Sequence, residues 1–573
     1  MIYLKNQKEV RKLVEFREED IFAPDEEGRK YLGSVYIPTD YDALPEAPDD
    51  GRYPRRGYYK DLAYKIVELP RAPKLRHIIG PSAIGAGMSL GSGETLFWPN
   101  ITAASGGYLF WMFWLGVLTQ WLIDMEIERP AALTGEGWPR TFARVHPGLA
   151  ALFMIMGFVQ TVWPGWASGA GQMGAFLLGM DPSGTAYDWR IISTILMIII
   201  FLIEIGGPVI YNMVEKAELI MVFVTVVFAF IAFFITGAYG EYGTLWASSF
   251  AGFGRMDPSI DLMTLLGGLA YAGNGGMGNL MQSIWIREKG FAMGAYQGRI
   301  ENPVRVPEEE LEPFYPAGFV FDSGDELQVA RWKAWWKVIN LEHFVTFVIP
   351  LIITTSILAT IAIHFASGTT KGALDMWIFE IFPQMGHGLG VVTAIVIFFA
   401  LFTTQAAWVD SLPRFMADTI YDLWLRESKR WNISKLFFLF LVIDIIFAIA
   451  VILSGIRQPW FLLVLGAGIA GIIMWFYNLF YTWYNTNRLP SYFQPNWGRI
   501  LAMWWAILFF GYFSILTLGD KFGIPREECY AFPPSHPGMI VLWIIYIVSF
   551  VVVAALSVRG KLNPIDRRAE KAE

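Results

Sequence analysis

Apolar runs long enough to cross a bilayer alternate with short polar stretches along most of this chain. A membrane helix needs about 20 predominantly apolar residues, and twelve runs satisfy this requirement. We refer to them as spans 1 to 12: 78–105, 108–128, 148–179, 189–208, 214–238, 260–286, 341–366, 386–410, 435–455, 460–484, 499–518 and 539–558. The pattern therefore predicts an all-α polytopic membrane protein that lies in a lipid bilayer.

The polar stretches predict the domain organisation. Residues 1–76 are rich in Asp, Glu, Arg, Pro and Tyr and lack a signal-peptide pattern, so we expect an N-terminal region outside the bilayer. A transmembrane domain follows over 77–560, interrupted by a long acidic and proline-rich loop at 287–337. Residues 561–573 are expected to form a C-terminal tail.

The basic residues predict the orientation in the membrane. With both termini on one side, the loops on the other side contain only six of the 44 lysines and arginines. These six are Arg190, Arg255, Lys371, Arg457, Lys521 and Arg526. Because cytoplasmic loops carry the excess of Lys and Arg, we expect both termini in the cytoplasm and the protein in the plasma, or inner, membrane.

Span 1 is interrupted by Gly91, Ser92, Gly93 and Glu94. Two glycines so close together favour an unwound backbone, because neither has a Cβ to restrict φ. Lipid offers no partner to free N–H and C=O groups, so a broken helix persists only inside protein or beside a watery cavity. Discontinuous helices of this kind form the mid-membrane binding sites of many secondary transporters.

Span 6 carries a second interruption, with four glycines and two asparagines between positions 273 and 279. The candidate site residues there are Gly273, Asn274, Gly276, Met277 and Asn279. Small residues also allow close helix packing, which is the structural alternative. Interrupted spans in corresponding positions of two halves are the sequence sign of an inverted-repeat binding site, so we expect the two breaks to form one site.

Among the candidate site residues, we expect Glu94 first of all to have a functional role. A carboxylate inside a membrane is costly and is a functional-site hypothesis by default. It could ligate a cation, carry a proton or bind an amine. The structural alternative is a salt bridge, although no obvious basic partner lies within the spans.

Composition and motifs narrow the class of protein. Hydrophobic residues make up 54% of the chain, charged residues make up 17%, and the net charge is -7. The single cysteine, Cys529, excludes a disulfide within the chain and a cysteine metal cluster. The sequence has no Gly-Lys-Ser/Thr nucleotide loop, no metalloprotease histidine pair and no Cys–His arrangement. We expect neither an enzyme nor an ATP-driven pump, with no cofactor and no nucleic-acid partner, and the oligomeric state is left open.

Several segments resemble the Nramp (natural resistance-associated macrophage protein) family of divalent-metal transporters. They are Gly80-Pro81 opening span 1, Ala104–Trp121 leading through span 2, Tyr211–Val224 entering span 5, Asn279-Leu280 in span 6 and Phe402–Tyr421 in span 8. The resemblance covers most of residues 77–520. It implies a LeuT-type fold of the APC superfamily, with spans 1–5 and 6–10 as inverted repeats, two further spans, and transport by alternating access.

The resemblance also implies a metal site whose ligands have changed. The family's first-span motif Asp-Pro-Gly-Asn falls on Gly91 to Glu94, so the ligand Asp has become Gly and the ligand Asn has become Glu. The family's sixth-span Met and His fall on Gly276 and Gly278, and Met277 is displaced by one position. Span 3 also lacks the acids that the family links to proton movement.

The remaining donors predict the kind of ion. We expect Glu94, Asn274 and Asn279 to be the metal ligands, together with nearby backbone carbonyls. Oxygen donors suit hard ions, whereas thioethers select softer metals. A hard divalent ion such as Mg²⁺ is therefore expected ahead of Mn²⁺ or Fe²⁺.

Three further polar residues are candidates for ion coupling. Thr403 and Thr404 of span 8 could complete a Na⁺ site, although hydroxyls in membrane helices often bond back to their own backbone. Asp444 lies alone in span 9 and could carry a proton or be a buried hydrogen-bonded residue. The driving force could be the membrane potential, H⁺ or Na⁺. Two other functions stay open: coupled transport of an amino acid or small organic cation, and a transport-inactive sensor or scaffold.

Overall fold

The computed structural model describes residues 16–53, 58, 62–78, 82–206, 210–303, 305–454 and 459–570. Within these ranges the chain is helical apart from its loops and one parallel pair of two-residue strands. The strands are β1, Lys65–Ile66, and β2, Phe319–Val320. The structure therefore has the all-α architecture that the apolar pattern predicts.

Eight helices in the described part are long and apolar enough to cross a membrane, and they correspond to spans 3, 5 and 7 to 12. Their bounds are Pro147–Thr161 and Gly165–Leu177 for span 3, Ile210–Ile235 for span 5, Glu326–His343 and Ile349–Ala366 joined by the π-helical turn Phe344–Val348 for span 7, His387–Ile420 with the π-helical turn Tyr421–Leu425 for span 8, Ile433–Leu453 for span 9, Pro459–Asn487 for span 10, Trp497–Lys521 for span 11 and Pro537–Leu562 for span 12. Span 7 belongs to one helix of 41 residues that begins well before the apolar run.

The other four predicted spans are also helical, but each is broken, short or rich in charge. They are Ser82–Leu90 and Trp98–Ser105 with the π-helical turn Gly93–Phe97 between them for span 1, Trp111–Thr134 for span 2, Asp188–Glu204 for span 4, and Leu262–Ala270 and Met277–Lys289 for span 6. In the described residues, helices thus occupy all twelve predicted spans, and eight of these helices are long and apolar enough to cross a membrane. Spans 1 and 6 are discontinuous as expected, and span 3 is also interrupted, at residues 162–164.

Short helices and turns lie in the N-terminal region, in the connections between spans and after span 12. They are Glu18–Ile21, Asp25–Gly28, Trp138–Val145, Tyr239–Ala251, Ala373–Met376, Phe382–Met385, Arg526–Tyr530 and Ile565–Glu570, with 3₁₀ turns at Arg29–Leu32, Leu75–His77, Ala292–Tyr296 and Glu308–Glu310 and a π-helical turn at Trp377–Ile381. Helix at both edges of the polar stretch 287–337 leaves 290–325 as the irregular connection.

The broken spans pack inside the bundle. The first half of span 1 packs against spans 5 and 8, and its second half packs against span 7. The first half of span 6 packs against span 10, and its second half packs against span 2. Such burial supplies the protein surroundings that a broken membrane helix requires.

The N-terminal region packs on one end of this bundle through strand β1 and a buried ion pair. Glu136, in the connection after span 2, pairs with Arg144 at 2.5 Å. Glu136 also accepts hydrogen bonds from Tyr64 Oη at 3.3 Å and from the Gly318 backbone N–H at 2.7 Å. Arg144 donates to the Leu62 carbonyl at 2.9 Å. One buried carboxylate therefore joins the N-terminal region, the membrane domain and the 290–325 connection.

Candidate ion-binding site

The break in span 1 brings its backbone against two neighbouring helices. A Cβ on Gly91 would lie 1.8 Å from Thr404 Oγ1 of span 8. A Cβ on Gly93 would lie 1.4 Å from the Tyr271 carbonyl oxygen, at the break in span 6. Both positions therefore require glycine, because a side chain would occupy space already filled by the neighbours. The second contact also shows that the two breaks touch.

Glu94 lies within the π-helical turn that restarts span 1. Its side chain is 0% exposed. Within the described residues, neither carboxylate oxygen has a hydrogen-bond partner. A buried charge without a partner costs several kcal/mol, because the water lost on burial is not replaced. Binding of a cation or a proton would therefore neutralise this carboxylate.

The break in span 6 is shaped by Gly276, which has φ +73° and ψ −127°. L-residues with a side chain rarely adopt this conformation, so glycine is needed here. A Cβ on Gly276 would also lie 2.5 Å from Gln160 Oε1. That same oxygen of span 3 accepts a hydrogen bond from the Met277 backbone N–H at 2.9 Å. Span 3 thus binds the first free N–H of the restarted helix through a side-chain amide.

Asn274 and Asn279 join the two sides of the span 6 break. Asn279 Nδ2 donates to Asn274 Oδ1 at 2.9 Å and to Asp124 Oδ1 at 2.7 Å. Asn279 Oδ1 accepts from Tyr477 Oη at 2.5 Å, and Asn274 Nδ2 donates to the Gly278 carbonyl at 3.0 Å. Each amide oxygen has one hydrogen bond and a second lone pair that could still bind a ligand.

Gln282 is a further polar residue at this place. Its side chain is 0% exposed, and neither its oxygen nor its nitrogen has a hydrogen-bond partner in the described part of the chain. A Cβ on Gly85 would lie 2.4 Å from Gln282 Nε2 and 2.9 Å from Asn274 Nδ2. Amides of span 6 therefore lie against the first half of span 1, next to the breaks.

A buried acid–imidazole group extends from Asn279 and was not predicted as part of the site. His343 Nε2 lies 3.2 Å from Asp124 Oδ2, and His343 Nδ1 lies 3.0 Å from Glu128 Oε1. Asp124 and Glu128 are four residues apart, so they share one face of span 2. That spacing is readable in the sequence, but the contact with the start of span 7 is not.

Met277 and the candidate coupling residues have different surroundings. A Cβ on Gly157 would lie 2.8 Å from Met277 Sδ, so the thioether is directed toward span 3. Thr404 Oγ1 lies 3.2 Å from the Gly87 carbonyl of span 1. Thr403 instead donates to the Phe399 carbonyl of its own helix at 3.0 Å. Asp444 is buried in span 9, which packs against spans 4 and 8. Of these three coupling candidates, Thr404 is the one that contacts a broken span.

Aromatic rings border both breaks. Trp166 stacks on Trp408 with ring centroids 5.6 Å apart and lies 5.6 Å from the ring of Tyr271. The ring of Phe97 also lies 6.1 Å from that of Tyr271. The Tyr271 hydroxyl has no hydrogen-bond partner among the described residues. These four rings give one wall of the site a π-rich surface.

Buried ion pairs fill the end of the bundle nearest the N-terminal region. Arg287, near the end of span 6, pairs with Asp418 of span 8 at 2.7 Å and with Glu288 at 2.9 Å. Arg414 pairs with Glu288 at 3.1 Å and with Asp410. Further pairs join Lys289 to Glu215 at 2.5 Å and Arg140 to Asp422 at 2.9 Å. The pairs that include Arg287, Glu288 or Lys289 hold the second half of span 6 against spans 5 and 8.

Comparison with known proteins supports the fold. No protein-family model matches the sequence, and no curated protein is similar to it in sequence. The crystal structure of an alanine mutant of the Eremococcus coleocola manganese transporter matches with a TM-score of 0.54 and 12% identity, over 90% of this chain and 100% of that chain. The same transporter in complex with an aromatic bis-isothiourea substituted compound gives a TM-score of 0.52 and 12% identity, over 88% of this chain and 98% of that chain.

The crystal structure of MhsT in complex with L-phenylalanine matches more weakly. Its TM-score is 0.41 at 12% identity, over 83% of this chain and 98% of that chain. The manganese transporter match shows the predicted LeuT-type fold, and the eight long apolar helices fit an integral membrane protein. At 12% identity, this likeness shows the fold and does not identify a ligand.

Proposed function

We propose that this protein is a secondary transporter that moves a cation by alternating access, with the ion held between the breaks of spans 1 and 6. The observation that carries this function is Glu94, a fully buried carboxylate without a partner where two broken helices touch. In membrane segments such a group marks an ion or substrate pathway. Because a transport cycle changes no covalent bond, the protein is not an enzyme in this proposal.

A hard divalent ion, Mg²⁺ ahead of Mn²⁺ or Fe²⁺, is the proposed cargo. The proposed ligands are Glu94 and the amide oxygens of Asn274 and Asn279, with backbone carbonyls of the unwound segments. The direction of the Met277 thioether toward span 3 supports an oxygen-only set. Mg²⁺ prefers such donors and keeps part of its water shell, so few protein ligands suffice.

The charges around the breaks support a divalent rather than a monovalent cargo. Glu94 supplies one negative charge. With Asp124 and Glu128 ionised and His343 protonated, these three groups together would carry a second one, and Asn279 donates to Asp124 at 2.7 Å. Two negative charges balance one divalent ion, so the occupied site would hold no net buried charge.

The orientation in the membrane and the family are parts of the same proposal. The excess of basic residues on one side supports cytoplasmic termini and a plasma, or inner, membrane location. The quoted segments and the fold shared with a manganese transporter support a divergent relative of the Nramp family. In the cycle, the ion pairs around Arg287 and Arg414 would have to separate whenever the site opens toward the N-terminal region.

A small organic cation is the second candidate cargo, and the aromatic wall is the observation that favours it. Trp166, Trp408, Tyr271 and Phe97 border the breaks. A desolvated cation over such ring faces gains about 2 kcal/mol or more. An amine could therefore bind the Glu94 carboxylate with its ammonium group and the rings with its carbon atoms.

Uptake into proteoliposomes tests this function. The intact protein is compared with Glu94→Gln at a fixed membrane potential, with Mg²⁺, Mn²⁺ and Ca²⁺ offered separately. Glu241→Gln is the matched control, because that glutamate lies in the connection after span 5 and bonds to His364 at 2.9 Å. We expect Mg²⁺ uptake by the intact protein and the control, and none by Glu94→Gln, because the neutral amide cannot balance the ion.

Absence of divalent uptake by the intact protein would overturn the metal assignment. Uptake of a methylated amine that depends on Glu94 would then favour the organic cation. No uptake of any ion, amine or amino acid, with or without Na⁺, would contradict transport and favour the sensor or scaffold.

A further inference from the structure

A tryptophan in the first part of the span 7 helix contacts two arginines from other spans. The Arg129 guanidinium of span 2 lies 4.1 Å from the ring centroid of Trp336, and the Arg499 guanidinium of span 11 lies 5.3 Å from it. Arg499 also donates a hydrogen bond to Asn340 Oδ1, one turn further along the span 7 helix. Trp332 stacks on Trp336 with ring centroids 5.8 Å apart. These contacts bring the ends of three spans together around one pair of rings.

Positive charge exceeds negative charge at this place. Arg129 pairs with Glu126 at 2.7 Å, and Arg499 pairs with the same carboxylate at 3.3 Å. Lys561, in the last turn of span 12, interacts electrostatically with both Arg129 and Glu126. Among the described residues, Glu126 is the one carboxylate that pairs with any of these three cations. Two positive charges are therefore left uncompensated.

Lys333 and Lys337 add two charges next to the arginines. Both side chains are exposed, and neither forms an ion pair within the part of the chain that the structure describes. Positions 333, 336, 337 and 340 have the i, i+3, i+4, i+7 spacing of a single helix face. The two lysines therefore share a face with Trp336 and Asn340. We call Arg129, Lys333, Lys337, Arg499 and Lys561 the basic patch.

The exposed strip of the span 7 helix places this patch relative to lipid. Lys333, Lys337, Leu341, Val345 and Ile349 follow one another at intervals of four residues, and all five are exposed. One turn of helix, about 6 Å, separates the last lysine from the first aliphatic residue. Lysines near helix ends direct their charge to the headgroups, and tryptophans favour the same depth. The patch therefore lies where lipid headgroups meet hydrocarbon.

We propose that the basic patch binds the headgroup of an anionic phospholipid. Arginine presents a planar fork of donors that matches phosphate oxygens. Clusters of about four to eight basic residues next to a membrane span favour anionic lipids, and this patch has five. Span 11 supplies a surface for the acyl chains, because Trp497, Leu501 and Trp505 form an exposed strip that begins beside Arg499.

A bound headgroup would join four spans. Arg129 belongs to span 2, the two lysines to span 7, Arg499 to span 11 and Lys561 to span 12. Spans 11 and 12 lie outside the two expected repeats, so the lipid would connect them to one span of each repeat. A ligand that binds the folded protein also raises its melting temperature. This proposal does not depend on which cargo the protein moves.

Lipid binding to the purified full-length protein in detergent tests the patch. Native mass spectrometry counts bound lipids, and thermal unfolding reports the stabilisation. Phosphatidylglycerol is compared with phosphatidylcholine of the same acyl chains. Inorganic phosphate and glycerol 3-phosphate are the free-phosphate probes, because they offer the charge without the acyl chains.

The main variant carries Lys333→Gln and Lys337→Gln together, because both side chains are exposed and their replacement leaves the core unchanged. The matched control carries Lys429→Gln and Arg430→Gln. These residues are also exposed, and Arg430 likewise contacts a tryptophan ring at 5.8 Å. They lie in the connection between spans 8 and 9, away from the patch.

We expect the intact protein and the control to bind phosphatidylglycerol more tightly than phosphatidylcholine and to gain melting temperature with phosphatidylglycerol. Each removed lysine should weaken phosphatidylglycerol binding about fivefold, because each supplies one charge at the membrane surface. The remaining binding should also depend less on salt, since fewer charges are screened.

Equal binding of the two lipids by the intact protein would overturn the proposal. Equal affinity of the double-lysine variant and the control for phosphatidylglycerol would overturn it as well, and so would an equal loss in both, which indicates a general effect of net charge. Free phosphate compounds that bind as tightly as phosphatidylglycerol would contradict a lipid and assign the patch to a soluble ligand.

Discussion

At the scale of single residues, the glycines at the breaks are set by what their neighbours already occupy. Gly93 faces the Tyr271 carbonyl, and Gly91 faces the Thr404 hydroxyl. A backbone carbonyl cannot move aside as the end of a flexible side chain can. Positions of this kind therefore tolerate substitution poorly, even when the new residue is small and apolar.

Gly93→Ala is expected to abolish transport and lower the melting temperature. Its Cβ would lie 1.4 Å from the Tyr271 oxygen, so the breaks must separate. Overpacking of a well-packed interior typically costs about 1–3 kcal/mol. Thermal unfolding and proteoliposome uptake measure the two effects.

Gly240→Ala is the control for this substitution. Gly240 lies in the helix Tyr239–Ala251, and a Cβ there would meet no atom within 4 Å. Alanine favours helix by up to about 1 kcal/mol over glycine, so the control should melt at the same or a slightly higher temperature. Equal behaviour of the two variants would show that the breaks are loosely packed.

The sequence could predict the breaks but only part of the site around them. Glycine crowding inside an apolar run identifies Gly91, Gly93 and Gly276, because it conflicts with an ordinary membrane helix. Nothing in the local pattern places His343 against Asp124, since that contact joins the ends of two distant spans. Side-chain direction is equally hidden, as the thioether of Met277 illustrates. The ligand assignments at Glu94, Asn274 and Asn279 stay predictions.

At the scale of elements, the second half of span 6 is held by charge at one end. Arg287, Glu288 and Lys289 form its last turn, and each has a buried ionic partner. Buried pairs need not add stability compared with apolar packing, but removal of one partner leaves the other buried and uncompensated. These pairs therefore make the position of this half-helix depend on all of its partners together.

Arg287→Met is expected to lower the melting temperature strongly, because Asp418 loses its partner. Breaking one side of a buried pair costs about 3–5 kcal/mol. The double variant Arg287→Met with Asp418→Asn should recover part of that loss, since the buried charge is removed. Thermal unfolding of both variants in detergent is the measurement, and a double variant less stable than the single one would contradict this account.

The start of span 7 shows that the hydropathy pattern does not locate every helix boundary. The apolar run of span 7 begins near residue 341, but its helix begins at Glu326. Residues 326–340 mix charged, polar, aromatic and aliphatic side chains and pack under the N-terminal region, where Trp335 donates to the Pro70 carbonyl at 2.8 Å. Hydropathy detects burial in lipid, and it has no means of detecting a helix that is covered by protein instead.

At the scale of the whole molecule, the N-terminal region is attached through charge as well as through strand pairing. Burial alone would raise the pKa of Glu136, but the guanidiniums of Arg144 and Arg140 and the Gly318 N–H together outweigh burial and hold that pKa below its usual value of 4.5. A carboxyl with a lowered folded pKa stabilises the structure above its unfolded pKa. This contribution is lost as the pH falls through the folded pKa.

Acidification is therefore expected to release the N-terminal region. Limited proteolysis of residues 16–78 should be slow at neutral pH and faster below the usual carboxyl pKa, since a protonated Glu136 no longer balances Arg144. Glu136→Gln should be cleaved faster at neutral pH and should lose this part of the pH dependence. If the variant and the intact protein respond to pH identically, another group governs the attachment.

The sequence pattern does not predict how the N-terminal region packs on the membrane domain. Residues 16–78 show neither helical nor strand periodicity, because their order comes from contacts with the membrane domain. The pairing of β1 with β2 joins residues on either side of six spans. Composition could only mark this region as polar.

The 41-residue helix of span 7 has a mechanical consequence. At about 1.5 Å per residue, its two α-helical segments and the π-helical turn between them add up to about 60 Å, roughly twice the thickness of the hydrocarbon core. A rod that pivots within the bilayer moves its outer end by about 5 Å for each 10° of tilt over a 30 Å arm. The N-terminal region packs on the end of this helix that begins at Glu326, so it would move together with that end. A distance probe attached to it would register each tilt of span 7 from outside the membrane.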